Sequence, residues 1–409
     1  MLTSINEIHA PIPYTNKTAN LFLEGKNLII TGGNGCGKTS FIRSIYDFLK
    51  SKIDTPNDHN INNLYSTLES YKYQLNSGGR DSFNYDFYSE EIKNIELKIE
   101  QLKAIRIETK EKEGEIRSLL RFHKALREAS ITSPVAVPRL SALIKEKSHF
   151  SNEVDGDDFF ENYLVSLKTA QSYAISFDND HNKAQRIQEW FDKIETDMQE
   201  LFEDKNLLLT FDSNEGKFYL NQDGKDKFTF QTLSSGYSSI LRIYADLIMR
   251  VEMWELTPDS IEGIIFIDEI DAHLHVSLQK QILRFFSHAF PKVQFIVTTH
   301  SPFVVTSVTN AIIYDLSTNT QISDVSSYSY GIILQELFGV SPISKVLSDK
   351  LEQLQDIIDN INNNNIETAN NIIQSLAPLD ESMDINASAF IDYAKMQVLK
   401  YKKANSQEK

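Results

Sequence analysis

Near its start the chain reads Asn27-Leu-Ile-Ile-Thr31 and then Gly32-Gly-Asn-Gly-Cys-Gly-Lys-Thr39, and no other stretch says as much about its architecture. The apolar run predicts a short buried strand, and the apolar spacing of residues 40–49 predicts a helix. The eight residues between them match G-x-x-x-x-G-K-S/T, the pattern of phosphate-binding loops. Because that pattern is informative where it joins a strand to a helix, it predicts a site for a nucleoside triphosphate, ATP, with Mg²⁺.

The chemistry of this loop follows from its composition. Glycines let the backbone N–H groups curl around phosphate oxygens, and the N-terminus of the next helix adds favourable partial charge. Lys38 is expected to reach the outer phosphates and Thr39 to bind Mg²⁺ through its hydroxyl. Cys36 is interpreted as a small residue at a variable position rather than a redox group. The residues expected to bind the nucleotide are Gly32, Asn34, Gly35, Cys36, Gly37, Lys38, Thr39 and Ser40.

The composition is that of an ordinary globular chain. Of its 409 residues, 41% are apolar and 24% are charged. A single cysteine excludes a disulfide framework and fits a reducing compartment. No run approaches about 18 apolar residues and no basic region leads into an apolar start, so we expect a cytoplasmic protein without a membrane partner. The net charge of −16 argues against DNA binding by the whole surface.

Apolar spacing predicts an α/β core interrupted and followed by helices. Helical spacing from Asp58 to Leu75 and from Ser89 to Ala129, broken by Ser77-Gly-Gly79, predicts an antiparallel hairpin. Further helices are predicted near 157–176 and 183–203 and in the tail from about 343, which Asn362–Asn365 splits. Strands are predicted at 207–211, 217–220, 227–230, 263–267, 294–298 and 311–314, and a helix between two of them indicates a mostly parallel sheet. The predicted boundaries are 1–50 and 151–320 for the two parts of an ATPase head, 51–150 for the hairpin insertion and 321–409 for a helical C-terminal region.

Mixed charge covers the second half of the predicted hairpin. Between Lys93 and Arg127, lysines and arginines alternate with glutamates. Such alternation is more typical of a solvated helix face than of a nucleic-acid site. Both interpretations stay open at this point.

A second acidic motif follows an apolar strand, in Gly263-Ile-Ile-Phe-Ile-Asp-Glu269. A strand this apolar is expected to be buried, which places its terminal carboxylates in the crevice where ligands bind in parallel sheets. We expect Asp268 to hold Mg²⁺ and Glu269 to act as the general base that polarises the attacking water. The alternative, an ordinary acidic end to a strand, loses weight because a phosphate loop is present.

The segment Thr232-Leu-Ser-Ser-Gly-Tyr237, which precedes a predicted helix, resembles the signature motif of ATP-binding-cassette ATPases, whose family form is Leu-Ser-Gly-Gly-Gln. In that family the serine and glycine amides grip the γ-phosphate held by a second subunit. The resemblance implies that Ser234 and Gly236 act in trans, and Ser235, at the third position of the motif, is expected to bind the nucleotide with them. Tyr237 departs from the family's glutamine, and its role is left open.

Two further matches to the same family follow the acidic strand. Asp271 stands where the D-loop aspartate lies, and His300, in Phe295-Ile-Val-Thr-Thr-His-Ser-Pro302, stands where the switch histidine contacts the γ-phosphate. The family's Q-loop glutamine cannot be assigned. Tyr14 is a candidate to stack on adenine, although aromatic residues near strands are more often core. The pair His273 and His275 and the run Asp155–Asp158 are interpreted as structural rather than metal-binding.

A narrower resemblance rests on four strings: residues 228–241, 267–279, 290–303 and 330–339. They look like the PtuA family, the ABC-type ATPases of Septu antiphage systems and of some retrons. The resemblance implies ATPase subunits that dimerise head to tail, that can form larger rings or horseshoes, and that hold a separate HNH nuclease of the PtuB type. It also admits DNA or a retron RNA–DNA as a ligand. This sequence has no convincing nuclease constellation of its own.

Two other functions are compatible with the motifs. One is a DNA-repair or structural-maintenance-like clamp that binds DNA ends through the hairpin, without a nuclease. The other is a scaffold that binds ATP and rarely hydrolyses it. The first hypothesis remains an ATPase that closes as a dimer and controls a nuclease.

Overall fold

The structure is a computed structural model. It describes residues 2–54, 59–77, 85–112, 119–124, 156, 159–322, 333–335, 337, 345–362, 364–376 and 385–406. The chain divides into two compact units, residues 1–328 and 329–409. Within the described residues, no helix is both long enough and apolar enough to cross a membrane.

Strands and helices alternate through most of the first unit. The strands are β1 Leu2–Pro11, β2 Thr18–Phe22, β3 Asn27–Thr31, β4 Arg106–Glu111, β5 Leu119–His123, β6 Leu208–Asp212, β7 Lys217–Asn221, β8 Gly263–Ile267, β9 Val293–Thr298, β10 Ala311–Asp315 and β11 Thr320–Ile322. The helices, with those of the second unit, are α1 Lys38–Asp54, α2 His59–Ser77, α3 Tyr85–Ala104, α4 Phe160–Ser176, α5 His181–Leu201, α6 Ser235–Met253, α7 Val276–Gln279, α8 Ile282–Ala289, α9 Pro302–Val305, α10 Lys345–Asp359, α11 Ile366–Leu376 and α12 Ile385–Ser406.

The central sheet has the strand order β11-β10-β3-β9-β8-β5. Its neighbours are parallel from β10 to β5, and only the edge strand β11 runs antiparallel. Every residue of β8, β9 and β10 is buried, as expected for parallel strands covered on both faces. The predicted strands at 27–31, 263–267, 294–298 and 311–314 and the mostly parallel sheet are therefore confirmed.

A smaller antiparallel sheet, β2-β1-β4, packs against this core. Its central strand β1 buries Ile5, Ile8 and Ala10. Gln294 of β9 joins the two sheets, because its side-chain oxygen accepts from Ile5 N at 2.7 Å and its amide donates to the backbone oxygens of Ile5 and Lys26. This sheet brings the β1–β2 loop next to Gly37 of the predicted phosphate loop.

The helical hairpin is shorter than predicted. Helices α2 and α3 pair through Leu68, Ile92, Ile95 and Ile99, as their spacing indicated. The predicted helix from Ser89 to Ala129 is wrong beyond Ala104, because residues 106–111 pair with β1 and residues 119–123 pair with β8. Within the predicted insertion 51–150, the head's strands therefore return from Arg106, and residues 125–150 lie outside the described residues.

The supposed basic run from Lys93 to Arg127 is not one face of a helix. It is divided among α3, β4 and β5. Arg121 is buried and its Nε donates to Asp246 at 3.0 Å, so this residue cannot bind nucleic acid at the surface. Arg117 and Arg127 fall outside the described residues.

Helices α4 and α5 and the hairpin β6–β7 complete the first unit, close to their predicted positions. The strand predicted at 227–230 is wrong: only Phe228 bridges to Leu220, and Phe230–Thr232 forms a 3₁₀ turn. The turn forms because Thr229 and Thr232 cap each other, with Thr229 N donating to Thr232 Oγ1 at 3.0 Å. It leads directly into the predicted signature segment.

The second unit is helical, as predicted. Helices α10, α11 and α12 enclose a core that includes Leu354, Ile373 and Ala394. The asparagine run ends α10 and begins α11, with Asn362 N donating to Asn365 Oδ1 at 2.8 Å. Most of the string 330–339 lies outside the described residues.

Candidate functional site

The predicted phosphate loop, residues 32–39, joins β3 to α1 as its motif requires. Three of its glycines have φ values that other residues rarely adopt: Gly32 has φ +136°, Gly35 has φ +76° and Gly37 has φ +93°. Lys38 is buried, and its Nζ donates to the backbone oxygens of Gly32 at 2.9 Å and Gly33 at 3.0 Å. The loop is therefore closed around its own lysine, with the ammonium group at its centre.

The acidic end of β8 lies at the same edge of the sheet. Asp268 is buried, and its Oδ1 accepts from Thr298 Oγ1 at 2.6 Å. The same threonine oxygen accepts from Glu269 N at 2.7 Å. Thr298, the last residue of β9, thus fixes both the side chain of one acid and the backbone of the next. Glu269 has φ +46°, a left-handed conformation that turns the chain sharply out of the strand.

The following residues are tied to β9 in the same way. Asp271 Oδ1 accepts from Thr299 Oγ1 at 2.6 Å and from His300 N at 3.4 Å. Ser301 Oγ donates to Gln279 Oε1 at 2.7 Å, and Gln279 donates to Leu274 O at 2.8 Å. The segment after β8 and the segment after β9 therefore form one hydrogen-bonded unit.

His300 connects this unit electrostatically to the phosphate loop. Burial and the nearby charge of Lys38 lower the pKa of His300, against the opposite pull of Asp271, Glu269 and Asp268. The imidazole is therefore neutral at neutral pH and keeps one N–H to donate. The structure thus brings together Lys38, Asp268, Glu269, Asp271 and His300, which the sequence had predicted separately.

The predicted signature segment begins α6. Ser234 is its N-cap and makes no side-chain capping bond, and Ser234 and Ser235 are both exposed. Gly236 is buried, and a Cβ there would lie 3.1 Å from the backbone oxygen of His273. Tyr237, whose role the sequence left open, stacks on Phe202 with ring centroids 4.2 Å apart and planes 4° apart. The tyrosine therefore supports the segment from the side.

Four other sequence predictions can be located. Tyr14 is 89% exposed rather than core, and its ring lies 3.7 Å from the position of a Cβ at Gly37, which suits stacking beside the loop. His275 caps α7 by accepting from Ser277 N at 3.4 Å.

Of Asp155–Asp158 only Gly156 is described, and its N–H donates to Asp246 at 2.7 Å. The strand beside β8 ends at His123, and the sequence contains no glutamine from residue 119 to 170 where the Q-loop was sought.

Sequence reasoning missed the residues that hold the site in shape. Thr298 and Thr299 orient the acids, and Ser317 Oγ accepts from Gly33 N at 2.9 Å. A signal was present for the threonines, since Thr298 ends a buried strand and Thr299 follows it directly. Ser317 follows β10, remote in sequence from the loop, and carries no local signal.

The residues predicted to hold Mg²⁺ fit that ion chemically. A threonine hydroxyl and a carboxylate are hard oxygen donors, which Mg²⁺ prefers beside substrate phosphates. Asp268 is buried with one oxygen oriented by Thr298, so its carboxylate has a defined position next to the loop. Thr39 and Asp268 are therefore chemically suitable Mg²⁺ ligands.

A parallel sheet with a phosphate loop after one strand, two acids after another and a histidine after the strand between them is a P-loop ATPase fold. Comparison with known families makes the assignment specific. The chain belongs to the family described as "AAA domain, putative AbiEii toxin, Type IV TA system", whose model matches residues 28–306.

Individual relatives agree with the resemblance to PtuA. The Septu protein PtuA of Bacillus mycoides (strain KBAB4) is 30% identical over 141 residues, which are 34% of this chain and 18% of that protein. The retron Vc95 probable ATPase of Vibrio cholerae serotype O1 biovar El Tor is 25% identical over 355 residues, 70% of this chain and 68% of that one. Among solved structures, an Smc head bound to the C-winged helix domain of ScpA covers 78% of this chain and 96% of its own at 13% identity, with a TM-score of 0.35.

Proposed function

We propose that the chain is the ATPase subunit of a bacterial antiphage defence complex. It would bind and hydrolyse ATP with Mg²⁺ between two copies arranged head to tail, and so control a separate HNH nuclease. The observation that carries the proposal is the meeting of Lys38, the acids after β8 and His300 at one edge of the sheet. The Septu and retron relatives support the defence setting.

On the phosphate side, the chain's own groups would act as follows. Lys38 would exchange the carbonyl oxygens of Gly32 and Gly33 for the outer phosphates, and the loop N–H groups would bind the remaining oxygens. Thr39 and Asp268 would hold Mg²⁺, which neutralises charge on the phosphates when bound.

For hydrolysis, a water must be activated beside the terminal phosphate. Glu269 follows Asp268 directly and its backbone is held by Thr298, so its carboxylate would accept the proton of that water. The neutral His300 would donate its N–H to the γ-phosphate. Tyr14 would stack on the base.

The signature segment would complete the site of a second copy. Exposed Ser234 and Ser235 and the first N–H groups of α6 form a positive helix end suited to phosphate oxygens. In a two-fold dimer each nucleotide would then lie between one copy's loop and the other copy's α6. Larger assemblies of such dimers are compatible with this arrangement.

A complementation experiment tests the shared site. Lys38→Ala removes the loop's cation and Ser234→Arg blocks the signature, so each variant alone should lose about a hundredfold or more of the ATPase rate. Coexpressed with different tags and purified as the mixed dimer, they leave one site with both halves intact. That species should recover about half of the parental rate, since one of two symmetric sites survives. A mixed dimer as inactive as its parents would contradict a shared site.

The nuclease requires a separate test. The neighbouring reading frame should encode a small HNH protein that copurifies with the native complex, and cleavage of DNA should depend on it. Absence of such a protein would overturn the defence-complex proposal and leave an ATPase of another kind. The DNA clamp is less favoured because Arg121, an arginine of the run from Lys93 to Arg127, is buried against Asp246.

A further inference from the structure

The turn between β10 and β11, residues 316–319, has a fixed shape and lies against the phosphate loop. Its first residue continues the sheet, with Leu316 N donating to Thr31 O at 3.0 Å. Asp315 is buried at the end of β10, where one carboxylate oxygen accepts from Ser317 N at 2.9 Å and the other from Thr318 Oγ1 at 2.8 Å. A buried carboxylate thus determines where Ser317 stands.

Ser317 contacts the first two residues of the phosphate loop. Its Oγ accepts from Gly33 N at 2.9 Å. It also lies so close to Gly32 that a Cβ there would be 2.9 Å from this oxygen and 2.8 Å from Cys36 Sγ. Gly32 is therefore glycine both because of its φ of +136° and because Ser317 occupies the space beside it.

The same two residues are held on their other side by Lys38. Its Nζ donates to the backbone oxygens of Gly32 and Gly33, whereas Ser317 accepts from the Gly33 N–H. When Lys38 leaves those oxygens for a phosphate, the bond from Gly33 to Ser317 stays available. The turn also reaches the β1–β2 loop, since Lys17 Nζ donates to Ser317 O at 3.3 Å.

We infer that Ser317 is a positioning residue for nucleotide binding: through its hydroxyl, the β10–β11 turn keeps the first half of the phosphate loop in its binding shape after Lys38 has moved to the phosphates. The inference rests on the proposed ATP binding by this loop. Ser317 acts on the loop and not on the reacting atoms, so it should affect binding more than the rate of chemistry.

The test compares three variants of the full chain. Ser317→Ala removes the hydroxyl, Ser317→Thr keeps it, and Thr318→Ala removes the neighbouring bond to Asp315 without touching the loop. Ser317 and Thr318 are both exposed, so all three variants should fold, which thermal unfolding can check. Binding of AMP-PNP with Mg²⁺ is measured by calorimetry, and kcat and KM by phosphate release.

For Ser317→Ala we expect the Kd for AMP-PNP to rise about five- to tenfold, the loss typical of one hydrogen bond, with kcat changed by less than about twofold. Ser317→Thr should restore the parental Kd, and Thr318→Ala should keep it. Three results would each overturn the inference: a parental Kd for Ser317→Ala, an equal loss for Thr318→Ala, or no recovery with Ser317→Thr.

Failure of the proposed function would look different. Lys38→Ala is measured beside the three variants. If the parent chain itself binds no AMP-PNP, the proposed function fails and this inference fails with it. If the parent binds and Lys38→Ala does not, while Ser317→Ala binds as the parent does, only the role of Ser317 is refuted.

Discussion

The phosphate-loop half of the proposed site and its signature half are held in place by different means. In the first half, residues 32–39 with the ends of β8 and β9, side chains from neighbouring strands bond to the functional segments: Thr298 to Asp268 and Glu269, Thr299 to Asp271. In the signature half, residues 232–237, Ser234 and Ser235 are exposed and the cap of α6 has no side-chain partner. The functional residues of the phosphate-loop half are fixed by hydrogen bonds within the chain. The serines of the signature half are exposed to solvent, where a second copy could contact them.

This difference fits a site shared between two copies. Groups that perform chemistry need a fixed geometry before the nucleotide arrives. Groups that close the site must be accessible to a partner. They can therefore be held only from the side that faces the protein, where Gly236 is buried and Tyr237 stacks on Phe202. Changes in the first half should therefore alter catalysis, and changes in the second should alter stability or association.

The largest effect is expected in the first half, at Glu269. Glu269→Gln removes the proposed base and should lower kcat about a thousandfold while the nucleotide still binds. It should also accumulate ATP-bound dimers, seen as an earlier peak in size-exclusion chromatography with light scattering. Glu262→Gln, at the other end of β8, is the matched control and should hydrolyse ATP normally. Loss of ATP binding by Glu269→Gln would contradict its assignment as a base.

The second effect is expected behind the signature half, at Asp246 of α6. Its buried carboxylate accepts from Arg121 Nε at 3.0 Å, from Arg250 Nη2 at 3.1 Å and from Gly156 N at 2.7 Å. Asp246→Asn removes the negative charge shared by two buried guanidinium groups and should destabilise the first unit by about 3 kcal/mol in urea unfolding. The exposed Asp226→Asn should change stability by less than about 0.5 kcal/mol.

The same variant has a defined pH dependence. Burial alone would raise the pKa of Asp246, but Arg250, Arg121 and His123 outweigh it and hold that pKa well below its usual value. A carboxylate whose pKa is lower in the folded state than in the unfolded state stabilises the folded protein. This stabilisation is fully present above the unfolded-state pKa of about 3.9 and is lost as the pH falls further. The difference in free energy of unfolding between the parent and Asp246→Asn should therefore persist between about pH 5 and about pH 7 and shrink below about pH 4. A difference that grows in acid would contradict the ion cluster.

The sequence predicted the first half better than its surroundings. Strands β3 and β8 and residues 295–297 of β9 are apolar runs bounded by glycine or polar residues, and such runs favour buried parallel strands. The residues that follow these strands meet because parallel strands end at one edge. The motifs and the sheet together therefore bring Lys38, Asp268 and His300 near one another without further information.

Long-range partners explain what was missed. Arg121 suggested an exposed basic face, because Asp246, whose carboxylate pairs with it in the interior, is 125 residues away in sequence. Strand β4 follows the amphipathic helix α3 and continues its charge pattern, so pairing with β1 was not visible locally. Ser317 acts through a backbone group of a loop that is distant in sequence, and a single sequence carries no sign of that bond.

A moderate loss of activity is expected when a hydrogen bond that orients the acids of the first half is removed. Thr298→Val keeps the shape of the side chain but removes the hydroxyl that orients Asp268 and supports Glu269. We expect kcat to fall about tenfold to thirtyfold, the usual cost of removing a group that orients a metal ligand, and more Mg²⁺ to be needed for half-maximal rate. Thr306→Val, whose hydroxyl bonds only within α9 and its C-cap, is the control. Equal rates for the two variants would show that the acids need no such support.

The smallest effect is expected in the signature half, at the stack of Phe202 on Tyr237. Phe202→Leu keeps apolar volume but removes the ring contacts with Tyr237 and Phe228, each worth about 1 kcal/mol, so the signature segment should be held less rigidly. Binding of AMP-PNP by the monomer should stay parental, whereas the protein concentration needed for half-maximal ATPase rate should rise about fivefold. Phe211→Leu, which removes another ring contact in the β6–β7 hairpin, should leave that concentration unchanged. If Phe202→Leu instead weakens monomer binding of AMP-PNP, the stack serves the chain's own nucleotide and the two halves are not separate.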